Sequence, residues 1–501
     1  MLTLGQCFEK TVRQYPHQGL SFPDFFISWQ NLNDSALQLS QGLMRSGISS
    51  GSIVAICLPN GLELALLHLA VIHSGAIALP LNPRFTAREL NYILQDSEAT
   101  MLFTDGFFQQ SHAEPLKKLP SLKKWIDLQA HPAEYANLFL SGESAPTPAE
   151  NADQIAYICY TSGTTGQPKG ACLTHGNIVS NLQSLFQNWE ITPNDNLLLS
   201  LPMFHVHGLM LGLLGCFIRG HSAHIMTAFD VDVVLDLIIR QRITLFMGVP
   251  TMYARFAQSS RLEELRHSAM RLFTSGSAAL SQALFDQFHA RTGYRIVERY
   301  GLTETMINTT NPYQGEQRPG TVGLPLEGIQ LRLMDATGKE CATGQIGEIE
   351  IKGPNVFLGY YRREDATKAC FHEGWFRTGD SGCYDASGYL RIVGRIKELI
   401  ISGGFNIYPG EIEHVIESLE GISECAVVGI PNEEWGEVVC AVMVKKGSVP
   451  VDDTLVKSFC QKNLAAYKIP KKYLFTDSLP RNAMGKIQKH LISQALNSGQ
   501  H

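Results

Sequence analysis

Helical and strand periods take turns along the N-terminal part of the chain, and few folds accommodate that alternation. Asn33 stands where it can cap a helix that runs to about Arg45 and ends at Gly47, and the β-branched run SIVAICLP follows. A helix around Leu62 to Ile72 leads into AIALPLN as a second strand, then AREL to ILQ reads as a helix before the strand ATMLFTD. Strands separated in this way by helices pair in parallel and are covered by those helices, which predicts an α/β fold. At a usual 100 to 200 residues per domain, the 501 residues supply roughly three domains' worth of core.

Hydrophobic residues make up 44% and charged residues 18%, so a disordered or fibrous chain is excluded. Lys plus Arg number 41 against 47 Asp plus Glu, a net −6 with no basic block, which argues against nucleic acid as a partner. The 11 cysteines never fall as C-x-x-C, and many sit in apolar runs such as AICLP and VVCAVMV, so reduced, buried thiols and a cytoplasmic location are expected. MLTLGQCFEKTVRQYP lacks the apolar stretch of an export signal. The run LELALLHLAVIHSGAIALPL is broken by Glu63, His68, His73, Gly75 and Pro80, and reads as helix plus strand rather than a membrane span.

Two composition shifts mark the organisation. Residues 131–153 carry the Pro, Ala, Ser and acid mix of a surface linker. After GRIKELIISGGFNIYP comes a compact α+β pattern of one helix (EIEHVIESL), two short strands (ECAVVGIP, VVCAVMVKK), a helix near Thr454 to Leu464, and YLFTDSLP. Domains at 1–395 and 396–501 are expected.

The strongest local signal is IAYICYTSGTTGQPKGACLTH. A strand ends at Tyr160, and Thr161, Ser162, Gly163, Thr164, Thr165, Gly166 and Lys169 then follow in close succession. Glycines let backbone N–H groups approach a polyphosphate, hydroxyls add hydrogen bonds, and a lysine adds charge. It is not a Walker loop, because Lys169 lies between Pro168 and Gly170 and a strand follows where that loop needs a helix. Taken alone, a flexible Gly/Thr turn remains the alternative.

With this loop, the motifs RYGLTET, WFRTGD, GRIKELIISGGFNIYPGEIE and LPRNAMGK occur in order, and together they make the chain resemble the adenylate-forming superfamily of acyl-CoA synthetases, peptide-synthetase adenylation domains and luciferases. The resemblance spans about Phe22 to Gln488. It implies a large N-terminal domain of two parallel-rich sheets plus a distorted β-barrel, then a small mobile α+β C-terminal domain. It also implies ATP, Mg²⁺ and coenzyme A as cofactors and co-substrates, a carboxylic acid as substrate, and leaves a homodimer open.

The chemistry explains the residue types. A carboxylate cannot expel oxide to a thiol, so it is first transferred to the α-phosphate of ATP, and the resulting acyl-adenylate has AMP as its leaving group. The resemblance implies the following roles. The loop from Thr161 to Lys169 holds the β- and γ-phosphates, and Glu304 with Thr164 or Thr305 holds Mg²⁺. Tyr300 packs on adenine beside Ser275, Gly276, Ser277 and Ala278, and Gly301 and Thr303 complete the nucleotide contacts. Asp380 accepts the ribose hydroxyls, and Arg395 contacts ribose and phosphate. Lys486 bridges the acid and the α-phosphate, so that acetylation there would remove the charge adenylation needs. In isolation Asp380 reads as an ordinary turn acid and Lys486 as a solvated lysine.

For thioester formation, Lys397 matches the pivot about which the small domain turns. Gly403 and Gly404 would line a narrow pantetheine channel. His205 matches a position gating acid against thiol access, and His207 joins it on the same loop.

Monocarboxylate relatives commonly have Gly before the motif tyrosine, and this chain has Arg299. An arginine there would block a long acyl tunnel and offer a partner to a second carboxylate. With MFHVHG, MGVPTMYAR and NPYQGEQRPGTVG, the pattern looks most like malonyl-CoA synthetases, although Ala279 and Leu302 replace the Pro and Met common there. The structural alternative for Arg299 is an ion pair with Glu298 or Glu304. The functional alternatives are a ligase for a medium-chain, fatty or aromatic monocarboxylic acid, a luciferase-like enzyme and a carrier-protein-loading enzyme. A binding-only protein would be expected to have lost Lys486, Glu304 or the hydroxyl loop.

Overall fold

The computed structural model describes residues 1–106, 116, 118–140, 151–161, 167–402, 405–432, 435–447, 449–482 and 485–497. Two large sheets dominate. One runs Leu324–Pro325, Met306–Thr310, Ile296–Leu302, Leu272–Ser275, Leu245–Gly248, Asn196–Leu199, Ser222–Ile225, Gly19–Ser21, Phe26–Ser28 in spatial order, and its central pairs are parallel. The other runs Gly359–Tyr360, Lys169–Thr174, Ile155–Thr161, Ile77–Pro80, Ile53–Cys57, Met101–Thr104, Lys124–Asp127, parallel from Ile155–Thr161 onward. The helix Leu62–His73 lies between them, buried over nearly its whole surface, which is why its sequence is apolar all round. At the position of the expected distorted barrel, strands between residues 330 and 395 form a five-stranded antiparallel sheet.

The first predicted helix begins earlier than Asn33. Ser28 accepts the N–H of Asn31 at 3.2 Å and caps Trp29–Arg45. The extra turn brings Trp29 into the 3-4-3-4 stripe with Leu32, Ala36, Leu39 and Leu43, where it packs edge-on against Phe8 and Phe217. Burial of that indole outweighs the capping preference of Asn33.

The expected linker is partly structured: Pro132–Asn137 is a helix whose Tyr135 packs against Phe103 and Phe139. The remainder, residues 141–150, lies outside the described residues. In the C-terminal part the two strands are long, Ile422–Asn432 and Gly436–Lys445, not short. Both faces of this hairpin are covered, one by the cluster around Ile412 and Ile416 and the other by Leu479 and Ile492, so the strands read as unbroken apolar runs. Hydrophobic clusters draw on residues up to Ile392 on one side and from Ile400 on the other. We take that gap to support the division at 395/396. All 11 cysteines are free thiols; eight are buried, but Cys341, Cys370 and Cys383 are half-buried. Among the described residues, no helix is long and apolar enough to cross a membrane.

Candidate active site

The site lies where the C-terminal ends of parallel strands from both sheets meet, the usual position for ligands in open α/β folds. Strands Ile155–Thr161 and Lys169–Thr174 are antiparallel, with Thr161 opposite Lys169, so the two ends of the Gly/Thr loop are held side by side. Gly170 is required there, since a Cβ would come within 2.5 Å of Ile158 Cγ2 and 3.0 Å of the Tyr160 ring. Ser162, Gly163, Thr164, Thr165 and Gly166 lie outside the described residues, as do Gly403 and Gly404. Lys169 Nζ sits 4.8 Å from the Tyr360 ring centroid, and the Tyr360 hydroxyl donates to Glu304 Oε1 at 2.9 Å. The lysine of the loop and the acid of RYGLTET are thereby joined through one tyrosine.

RYGLTET forms the end of Ile296–Leu302 and a turn into Met306–Thr310. Gly301 is forced by close approach: a Cβ would stand 1.7 Å from the Met306 carbonyl oxygen. The helix His175–Asn188 clamps the hairpin, Asn181 Nδ2 donating to the Ile307 carbonyl at 2.6 Å. Thr303 is half-buried, and Glu304 is buried, which raises its pKa against the opposing pull of Tyr360 and Arg395. Thr305 departs from expectation. It is fully buried, with Oγ1 accepting from Asn308 Nδ2 at 2.8 Å and its carbonyl accepting from Asn355 Nδ2 at 2.7 Å, beneath the site rather than open to it.

On the strand Trp375–Tyr384, Asp380 is held from two sides. Arg395 Nε lies 2.7 Å from Oδ1, and the Tyr300 hydroxyl donates to Oδ2 at 2.6 Å. Burial raises the Asp380 pKa, opposed by Arg395 and Tyr300. Lys486 enters from the C-terminal part. Its backbone N–H donates to Asn482 Oδ1 at 3.0 Å, and Gly485, at φ +74°, packs beside Thr251. Lys486 is exposed, yet surrounding protein and the Arg395 charge draw its pKa below the ordinary lysine value, opposed by Asp380 and Glu398. Lys397 lies exposed in the turn Ile396–Glu398.

Arg299 points into a different wall of the site. It is 6% exposed, and its Nε and Nη2 have no partner among the described residues. Neither neighbouring acid pairs with it. Successive strand residues face opposite ways, and Glu298 instead accepts the Gly320 N–H at 3.0 Å while Glu304 is bound by Tyr360. The guanidinium packs close against Gly276, where a Cβ would come within 2.4 Å of Arg299 Cζ. Beside it, Ser275 Oγ is buried without a partner among the described residues, and Ser277, at φ +67°, places its hydroxyl 3.3 Å from His207 Nδ1. Ala278 is half-buried in the same turn. His207 opens the π-helix His207–Leu214, a wide-turned element often found at sites, and its Nε2 is buried without a partner among the described residues, as is that of His205. Burial pushes His205 down to about 4; burial, Arg299 and His205 hold His207 well below its ordinary value, so both rings are neutral at pH 7. Burial also lowers the pKa of Arg299, but a guanidinium keeps its proton, so the wall presents a buried cation with no counter-charge among the described residues.

Residues 8–361 match the AMP-binding enzyme family, and residues 411–486 match its C-terminal domain. The chain belongs to the AMP-binding enzyme family. It is 33% identical to the oxalate–CoA ligase of Arabidopsis thaliana, covering 98% of each chain, and 33% identical to a feruloyl-CoA synthase of a Streptomyces species, covering 97% of each. ATP-bound MatB from Rhodopseudomonas palustris is 38% identical over 100% of both chains with a TM-score of 0.93, whereas apo MatB gives 0.82. As a member of this family the chain is an ATP-dependent acyl-CoA ligase.

Sequence reasoning missed Tyr360, Asn355 and the partners of Lys489. The run GYYRR was the one available signal for Tyr360, an aromatic pair beside two cations after a Gly.

Proposed function

We propose that this chain activates a short dicarboxylic acid of the malonate type and transfers it to coenzyme A. The observation that carries the reading is the buried, unpartnered guanidinium of Arg299, with Ser275 Oγ and two neutral histidines beside it. One carboxylate of the acid would pair with Arg299; His207 Nε2 and Ser275 Oγ are available for its remaining oxygen, and His205 lies toward the thiol side. The other carboxylate attacks the α-phosphorus of ATP, the bond to the bridging oxygen breaks, and pyrophosphate leaves. The thiol of coenzyme A then attacks the acyl carbon and AMP leaves.

In this reading Tyr300, Gly301 and Thr303 with Gly276, Ser277 and Ala278 hold adenine, and Asp380 and Arg395 hold the ribose. Thr161 through Gly166 and Lys169 hold the outer phosphates. Lys486 spans the attacking carboxylate and the α-phosphate, where negative charge concentrates. Among the described residues no three acidic, His or Cys side chains converge as a metal cage. A single carboxylate plus nucleotide phosphates is the usual way Mg²⁺ is held, which fits Glu304, with Thr164 as a second ligand. When bound, the ion would neutralise phosphate charge. Lys397 serves as the pivot between the two half-reactions, and Gly403 and Gly404 flank the thiol path. The closer likeness to ATP-bound than to apo MatB supports reading this arrangement as the adenylating one.

A monocarboxylate ligase would leave Arg299 buried with nothing to pair. The test is a panel of malonate, methylmalonate, succinate, oxalate, acetate, octanoate and coumarate, scored for pyrophosphate release and thioester formation. Short diacids should lead. Preference for octanoate or coumarate would refute the reading.

A further inference from the structure

An ammonium and two carboxylates meet at the base of the Lys486 loop. Lys489 Nζ lies 2.7 Å from Glu413 Oε1 and 3.2 Å from Glu398 Oε2. The three side chains come from three elements: the start of the helix Lys489–Asn497, the helix Pro409–Glu417 and the turn Ile396–Glu398. Glu413 Oε1 also accepts the Val427 N–H at 2.6 Å, which fixes the ammonium to the central hairpin of the small sheet. The two carboxylates raise the pKa of Lys489 against its burial.

The connection to Lys486 is short and tight. Only Ile487 and Gln488 separate the two lysines; Ile487 bridges to Arg481, the Gln488 N–H donates to the Pro480 carbonyl at 2.8 Å, and Arg481 Nη2 lies 2.7 Å from Glu424. At the other end, Glu398 directly follows Lys397 and lies three residues after Arg395. A mostly buried ion triad is a poor source of stability, because desolvation offsets the attraction, so a geometric role is the better explanation for it.

We propose that Lys489 is a positioning residue that makes the Lys486 loop and the chain just after the pivot one rigid body. A rotation is then confined to Lys397 and the residues before it, and it carries Lys486 in and out as a unit. The proposal rests on the roles given above to Lys486 and Lys397.

The test compares Lys489→Met, Lys489→Arg, Glu398→Gln and Lys486→Ala by single-turnover kinetics of acyl-adenylate formation and of thioester formation from supplied acyl-adenylate. Displacement of a positioned group by about 1 Å costs up to about a hundredfold in rate, so Lys489→Met should slow both half-reactions by roughly tenfold to a hundredfold. The KM for ATP should stay within about threefold, since the adenosine contacts are on other elements. Lys489→Arg should restore both rates, and Glu398→Gln should reproduce the two-sided loss even if Lys489→Met does not fold. Loss confined to adenylation, or normal rates per folded molecule in both Lys489→Met and Glu398→Gln, would overturn the proposal. Lys486→Ala separates the two levels: if it fails to lose adenylation selectively, the role of Lys486 falls, whereas the two-sided loss in Lys489→Met still reports on the strut.

Discussion

Replacing Arg299 should exchange the acid preference of the enzyme without weakening its fold. Arg299 is 6% exposed, with its guanidinium packed close to Gly276 and without partners at Nε and Nη2 among the described residues. A dicarboxylate supplies the missing counter-charge. Removing one half of such a buried pair commonly costs about 3 to 5 kcal/mol. At about 1.4 kcal/mol per tenfold, kcat/KM for malonate should fall by roughly two to three and a half orders of magnitude in Arg299→Gly. The same change opens the tunnel, so kcat/KM for octanoate should rise relative to malonate. The unliganded protein should respond differently. Arg299→Met keeps the apolar stem and removes an uncompensated buried charge, so its Tm should equal or exceed that of the parent. With ATP present throughout, adding malonate should raise the Tm of the parent further and leave that of the variant unmoved, because stabilisation follows from binding to the folded state. The assay set is kcat/KM for both acids in parent and Arg299→Gly, plus melting curves for Arg299→Met. An unmoved malonate-to-octanoate ratio, or a clear drop in the Tm of Arg299→Met, would show that Arg299 holds structure rather than substrate.

Lys486→Ala should abolish pyrophosphate release with the acid and ATP while leaving thioester formation from supplied acyl-adenylate largely intact; equal loss of both steps would refute its assigned role. Lys397→Pro fixes φ and removes an N–H, so acyl-adenylate should still form while coenzyme A is acylated slowly, and normal transfer would place the pivot elsewhere. Tyr300→Phe removes the donor to Asp380 Oδ2 and should raise the KM for ATP with little effect on the KM for the acid; an unchanged KM for ATP would mean that the contact does not serve the nucleotide. Glu298 is pushed up to about 7 by burial, above its unfolded value, so its charged form opposes folding and stability falls as pH rises through the range between about 4.5 and 7. Glu298→Gln should therefore gain Tm on the parent across that range and hold the gain above it; a pH-independent difference would contradict the burial argument.

The alternation of helix and strand was legible in the sequence because each element buries one regular stripe or run. What it could not show was which of two competent caps wins: Ser28 starts the helix because Trp29 has a pocket against Phe8 and Phe217, and that pocket is assembled from distant segments. The length of the C-terminal hairpin was hidden for a similar reason, since full burial on both faces removes the alternation that marks strand ends. The site motifs are contiguous, so their residue types could be read directly. Their connections could not. Tyr360 is 56 residues from Glu304, and Lys489 meets Glu398 from the opposite end of the small domain, with no local pattern linking either pair. For Arg299, the sequence left an ion pair with Glu298 or Glu304 open, and only the partners of those two acids in three dimensions removed both alternatives.

The most direct test of the central claim is acid-dependent exchange of labelled pyrophosphate into ATP with coenzyme A omitted, because it reports reversible acyl-adenylate formation and nothing later. Malonate should support exchange, octanoate and coumarate should not, and Lys486→Ala should abolish it. Exchange driven by octanoate or coumarate and by none of the short diacids would contradict the account.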